Sequence, residues 1–140
     1  MWIVLDASHL TQGLSAAELT ALRTQQLVPN QVDPVPEVLM RVTFEVRGYV
    51  AANAGRQVGE PGTIPEELLS AAIAVARWRL IGRLPVKALA TDSRRKEYED
   101  AIALLRDVAA GRFAISVATE PAEEQPRPQA QGQWGSAEKI

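Results

Sequence analysis

The chain has 140 residues, no cysteine, a single histidine and a formal net charge of −2 at pH 7, with 46% apolar and 23% charged residues. That length suits one domain around one core, and the near-neutral, slightly acidic balance argues against general affinity for nucleic acid. The absence of cysteine excludes disulfides, thiolate metal sites and cysteine nucleophiles, and fits a reducing compartment.

The opening run Trp2–Leu5 is either a short strand or a hook laid against the core, and it ends at Asp6 with no basic segment before it, so no signal peptide is expected. Trp2 either packs on its own domain or contacts another subunit. Ser15 and Glu18 have the spacing of a capping box and predict a short helix over about Ala16 to Gln26, with Leu19, Leu22 and Leu27 on its apolar face. Prolines 29, 34 and 36 force the next stretch to extend or turn. Asp33 then reads as the cap of a long helix carrying Val35, Val38, Leu39, Val42, Val46, Tyr49 and Val50 at helical spacing. Its β-branched residues lower helix propensity by a few tenths of a kcal/mol each, but the period persists for about four turns and decides the assignment. Gly55 is a suitable terminator, and residues 55–62 form a glycine-rich loop.

The stretch from Thr63 to Gly111 is the centre of the chain. Thr63 and Glu66 match a second capping box, with Pro65 in the first turn, and Leu68 to Ala76 is apolar on nearly every side. That run is under half of the roughly 20 residues needed to span a bilayer, so it predicts a central packing helix whose alanines let neighbours approach. A further helix, about Ser93 to Ala110, carries Tyr98, Ala101, Ile102, Leu105, Val108 and Ala109 on one stripe and charged residues on the other, with Gly111 as its stop. Arg112 to Val117 alternates as a short strand would, with the N-terminal run or a neighbouring subunit as its partner. Residues 119–140 form a Pro/Gln-rich tail, ordered only with partners, whose sole aromatic, Trp134, is a candidate partner anchor alongside Trp2. The expected architecture is mainly α: a small bundle of about four helices with a short strand or extended segment over residues 1–118, followed by an extended tail.

No catalytic constellation can be assembled. His9 has Asp6 nearby but no third metal-site partner, the serines are best explained as caps or helix-bonded hydroxyls, and the glycines match no phosphate loop or dinucleotide fingerprint. Glu97, Glu99 and Asp100 lie on a helix face beside Arg and Lys, where surface pairing accounts for them. No enzyme, cofactor or metal is therefore expected. The feature above background is a basic joint: Arg77, Arg79, Arg83, Lys87, Arg94, Arg95 and Lys96 face only Asp92 between residues 77 and 96, a local charge of +6 that leaves −8 for the rest of the chain. It reads as a solvated helix end favoured by the dipole, as a polyanion contact, or as an ion-pairing surface for an acidic neighbour, including another copy. Arg94, Arg95 and Lys96 at a helix start oppose the dipole, which points to something holding them there.

Four phrases carry a family resemblance: GYVAANAG (Gly48–Gly55), Ile64–Glu66, ARWRLIGRLP (Ala76–Pro85) and RRKEYEDAIALLRDVAAG (Arg94–Gly111). Together with the opening methionine and aromatic, they resemble the Mu-like phage head-tail connector proteins over roughly Ala16 to Val117. The loop at 55–62 lacks the usual aromatic, and the tail after residue 118 departs from the pattern. The resemblance implies a virion neck protein, assembled in the host cytoplasm, forming a ring of about twelve copies through heterologous contacts. Its implied partners are the portal protein, a tail or tail-terminator (stopper) protein, copies of itself, and DNA in transit without sequence specificity; it implies no membrane, cofactor or reaction. The alternative is a small helical nucleic-acid-binding protein using residues 77–96, which would bind with steep salt dependence.

Overall fold

In the computed structural model, which describes residues 1–30, 32–53, 56–84 and 87–115, the elements are β1 (Trp2–Val4), α1 (Ala7–Gln12), α2 (Ala16–Gln26), α3 (Val35–Ala51), β2 (Thr63–Pro65), α4 (Leu69–Arg83) and α5 (Asp92–Ala109), with 3-10 turns at Glu66–Leu68 and Lys87–Leu89. The mainly helical architecture is present with one helix more than expected. The addition is α1, six residues long and burying only Leu10, so that hydrophobic periodicity could not register it. Gly55, Pro85, Val117 and the segment 119–140 with Trp134 lie outside the described residues.

Helices α3, α4 and α5 pack on one another, with α4 and α5 in the most extensive contact. Val38, Val42, Val46 and Val50 repeat every fourth residue along α3 and are all buried, so its β-branched residues are stabilised by packing despite their modest propensity. Helix α4 contributes Ala72, Val75, Ala76 and Leu80, and α5 contributes Ala101, Leu105 and Val108. Burying one such Val or Leu contributes roughly 1.5–3 kcal/mol. The alanines of α4 leave room for both neighbours, and Trp78 stacks on Tyr98 with ring centroids 6.1 Å apart along the α4–α5 seam.

Two local expectations are corrected. Helix α4 does not begin at Thr63: Thr63–Pro65 pairs antiparallel with Trp2–Val4, in the register Trp2 to Pro65, Ile3 to Ile64 and Val4 to Thr63. The capping-box groups are used elsewhere. The Glu66 N–H donates to the Met1 carbonyl at 2.8 Å, and the Thr63 hydroxyl donates to the Glu60 carbonyl at 2.6 Å. The helix proper starts only after the 3-10 turn, at Leu69 and without a side-chain cap.

The second correction is at the C-terminal side, where Arg112–Ile115 is not a strand. Gly111 takes φ +82, the Arg112 N–H returns to the Asp107 carbonyl at 2.8 Å, and Phe113 and Ile115 pack against the core. The N-terminal run therefore has β2, not this segment, as its partner.

Other boundaries agree closely with the sequence reading. Ser15 and Glu18 make both bonds of their capping box, at 3.3 and 2.8 Å. Two caps sit differently from that reading: Pro34, not Asp33, is the N-cap of α3, with Asp33 accepting from the Val35 N–H at 3.0 Å one residue earlier, and Thr91 caps α5 by accepting from the Arg94 N–H at 3.2 Å, which leaves Ser93 inside the helix.

Gly111 is a position where glycine is required, since a Cβ would combine positive φ with a 3.1 Å approach to the Asn53 side chain. Gly111→Ala is expected to cost about 1–2 kcal/mol in thermal denaturation. Gly48→Ala, in the interior of α3 and facing open space, is expected to gain about 0.5–1 kcal/mol.

Candidate interaction surfaces

The basic joint folds into a lattice of ion pairs within the chain. From α4, Arg77 donates to the Gly13 carbonyl at 2.5 Å and to Glu97 of α5 at 2.6 Å. Arg79 grips both carboxylate oxygens of Glu45 on α3, one of them at 2.8 Å. Arg83 reaches Glu37, also on α3, at 2.9 Å. From the start of α5, Arg94 donates to both oxygens of Glu18 on α2, at 2.8 and 2.9 Å, and to Glu97 at 3.0 Å. Arg95 pairs with Asp92 and Lys96 with Asp100 along α5, while Lys87 is exposed in its 3-10 turn.

Six of the seven cations thus have a carboxylate partner in the same chain. What holds Arg94 against the helix dipole is the pair Glu18 and Glu97. The pairs differ in weight: those of Arg95 and Lys96 are exposed and contribute about 0–1 kcal/mol, whereas Glu18 is only 3% exposed. Burial alone would raise the Glu18 carboxyl, but hydrogen bonds from Arg94 and the Ser15 backbone hold it below its ordinary value. Arg83, and then Arg41, likewise lower Glu37.

Trp2 packs on its own domain, partly buried against the core. Arg47 of α3 places its guanidinium 5.8 Å from the Trp2 ring centre and donates to the carbonyls of Gly59, Glu60 and Thr63 at 2.7–3.0 Å. Trp2 in turn leans on Gly59, where a Cβ would stand 2.8 Å from the indole. Arg47→Ala should cost about 1–2 kcal/mol and speed amide exchange selectively across Gly59–Ile64.

His9 belongs to a cap. Its Nδ1 accepts from the Asp6 N–H at 3.2 Å, while Asp6 accepts from the N–H groups of Ser8 and His9. No group of three potential metal-ligating side chains occurs among the described residues.

A different surface stands out in the structure. Pro36, Met40 and Phe44 form a row at every fourth residue on the outer face of α3, and Met40 and Phe44 are 52% and 63% exposed. With Leu5, Leu39 and Pro61 they line an apolar groove of about 540 Å³. The sequence reading missed this groove. Its signal was present, because a helix whose buried stripe is already complete in four valines has no internal use for Phe44 on its polar face.

A family model described as Bacteriophage Mu, Gp36 matches residues 5–133. The chain belongs to this family. No curated protein and no solved structure matches it. The Mu Gp36 match begins before Ala16, just after β1, and continues past Val117, so it takes in the whole helical body, β2 and most of the Pro/Gln-rich segment. Membership identifies a phage protein of the structural and assembly kind. No helix among the described residues is long and apolar enough to cross a membrane.

Proposed function

We propose that this chain is a structural neck protein, a head-tail connector that forms a ring between portal and tail and lets DNA pass. Membership in the Mu Gp36 family over nearly the whole chain carries the reading. The surface chemistry supports it: charge is matched internally, and a helix face keeps large apolar side chains in solvent, as a subunit built to be covered would. The ring has about twelve copies joined through heterologous contacts, which need two different patches on each subunit. Its other partners are the portal protein and a tail or stopper protein. DNA contact is transient and without sequence preference, and the role needs no cofactor and no reaction. The protein resides at the head-tail junction of the virion.

Negative-stain microscopy of lysates from the phage or prophage that encodes the chain, with its gene interrupted, tests this. Filled or leaking heads beside finished, unattached tails are expected; complete infectious particles would remove the proposal. Since carboxylates of the same chain hold six of the joint's cations, affinity for duplex DNA at low salt is expected to be weak and nonspecific, which a salt titration of binding measures.

A further inference from the structure

The row on α3 continues from Pro36, Met40 and Phe44 to Gly48, where an added Cβ would meet nothing within 4 Å. The face is thus open along its length, and the groove beside it is mostly apolar, with Thr43 the one hydroxyl-bearing residue in its lining. The Thr43 hydroxyl donates back to the Leu39 carbonyl at 2.8 Å and asks nothing of a ligand. Such a groove suits a single bulky apolar or aromatic side chain delivered on a chain with few other apolar groups.

The sequence contains that chain. Residues 116–140 follow the last described residue, Ile115, and their only aromatic is Trp134, 19 residues further on. With prolines at 121, 126 and 128, the intervening stretch can extend at about 3.1 Å per residue and reach close to 60 Å. That is about twice the roughly 30 Å width of a small domain, enough to pass from one copy to the next. The C-terminal end of α5 lies beside Asn53 and Arg56, past the far end of α3 from Pro36. Helix α5 therefore ends at one end of the body while the groove opens near the other. Lys139, five residues beyond Trp134, also has an exposed carboxylate to meet on the groove's rim, Glu60 beside Pro61.

We propose that the α3 groove of each copy receives Trp134 from the C-terminal segment of the neighbouring copy. This rests on the ring reading above and supplies the two unlike patches that such a ring needs. The indole seats against Met40 and Phe44, where sulfur–aromatic and ring–ring contacts add to the area buried.

A chain without cysteine makes the test direct. Full-length protein with Met40→Cys is mixed with full-length protein with Ser136→Cys at high concentration and mildly oxidised. A mixed disulfide dimer is expected, and Trp134→Ala in the second chain should reduce its yield at least about tenfold. The double variant Met40→Cys/Ser136→Cys, supplied to a phage lacking the gene, should give a ladder of linked copies in particles. A link confined to single chains of the double variant, or dimerisation of Met40→Cys with itself, overturns the proposal, as does a mixed dimer indifferent to Trp134→Ala. So does the absence of any link in both purified protein and particles. Circular dichroism of each variant checks that the helical body is intact, as expected for substitutions at an exposed residue and in the tail. The neck assignment is decided separately, by the morphology of particles made without the gene.

Discussion

Replacing Arg94 with alanine is expected to destabilise the protein by about 3 kcal/mol and to lower its melting temperature by on the order of 10 °C. The cost comes from what is left behind. Glu18 is 3% exposed; one oxygen accepts from the Ser15 N–H and Arg94, and the other from Arg94. Without the guanidinium, a carboxylate stays buried with only the cap bond to satisfy it. Helix α2 should respond first, since Leu22 is the only buried side chain it has besides Glu18. Amide exchange across Ala16–Gln26 should therefore accelerate before exchange in α4 or α5. Lys96→Ala, which breaks a pair exposed on both sides, should change stability by less than about 0.5 kcal/mol. Equal losses in the two variants would show that the Arg94 pair is no more than a surface contact.

Acid provides an independent check with a definite sign. Because the folded Glu18 carboxyl lies below its ordinary value of 4.5, its contribution is present above that value and is lost as pH falls through the folded one. The parent protein should lose stability on acidification across and below that range. In Arg94→Ala the balance reverses, because burial now acts on Glu18 without its counter-ion and raises the carboxyl. The deficit of the variant should shrink as pH falls through the carboxylate range, a trend that denaturant midpoints measured at several pH values would reveal.

The two capping-box patterns show where local sequence suffices and where it does not. Ser15 and Glu18 form their box because the Glu18 carboxylate can accept from the Ser15 N–H and from Arg94 together; Thr63 and Glu66 have the same spacing and do not, because the carbonyl of Met1, just before β1, takes the Glu66 N–H. The pattern is local, but the competitor is not. The basic joint follows the same logic. Its charges were plain in the sequence, whereas Glu45, Glu37 and Glu18 lie 34, 46 and 76 positions from the arginines they meet. Helix periodicity located the stripes of α3 and α5, since those depend only on spacing within one element. The groove needed α3, Leu5 just after β1, and the loop at Pro61 and Gly62 to be brought together, yet Met40 and Phe44, apolar and off the stripe, were its trace in the sequence.

The largest loss is expected from Leu105→Ala, about 3–4 kcal/mol. Leu105 is 1% exposed on the stripe of α5, in the core that α5 shares with α3 and α4, and truncation there removes transfer energy and leaves a cavity that three packed helices can close only in part. Against a total stability of roughly 5–15 kcal/mol, such a change brings the domain near its limit. The urea midpoint should fall while the slope stays constant, marking a loss of stability and not of compactness. Phe44→Ala removes a larger side chain, yet Phe44 is 63% exposed, so its folding stability should move by no more than about 0.5 kcal/mol. The same variant should fail to complete particles if the α3 face is covered by another molecule. A side chain that folding does not need and assembly does is the signature of an interface, and the contrast between Leu105 and Phe44 separates the two demands on one three-helix core. If Phe44→Ala instead destabilised the isolated chain as Leu105→Ala does, the face would be covered from within, and the neighbouring copy would have to bind elsewhere.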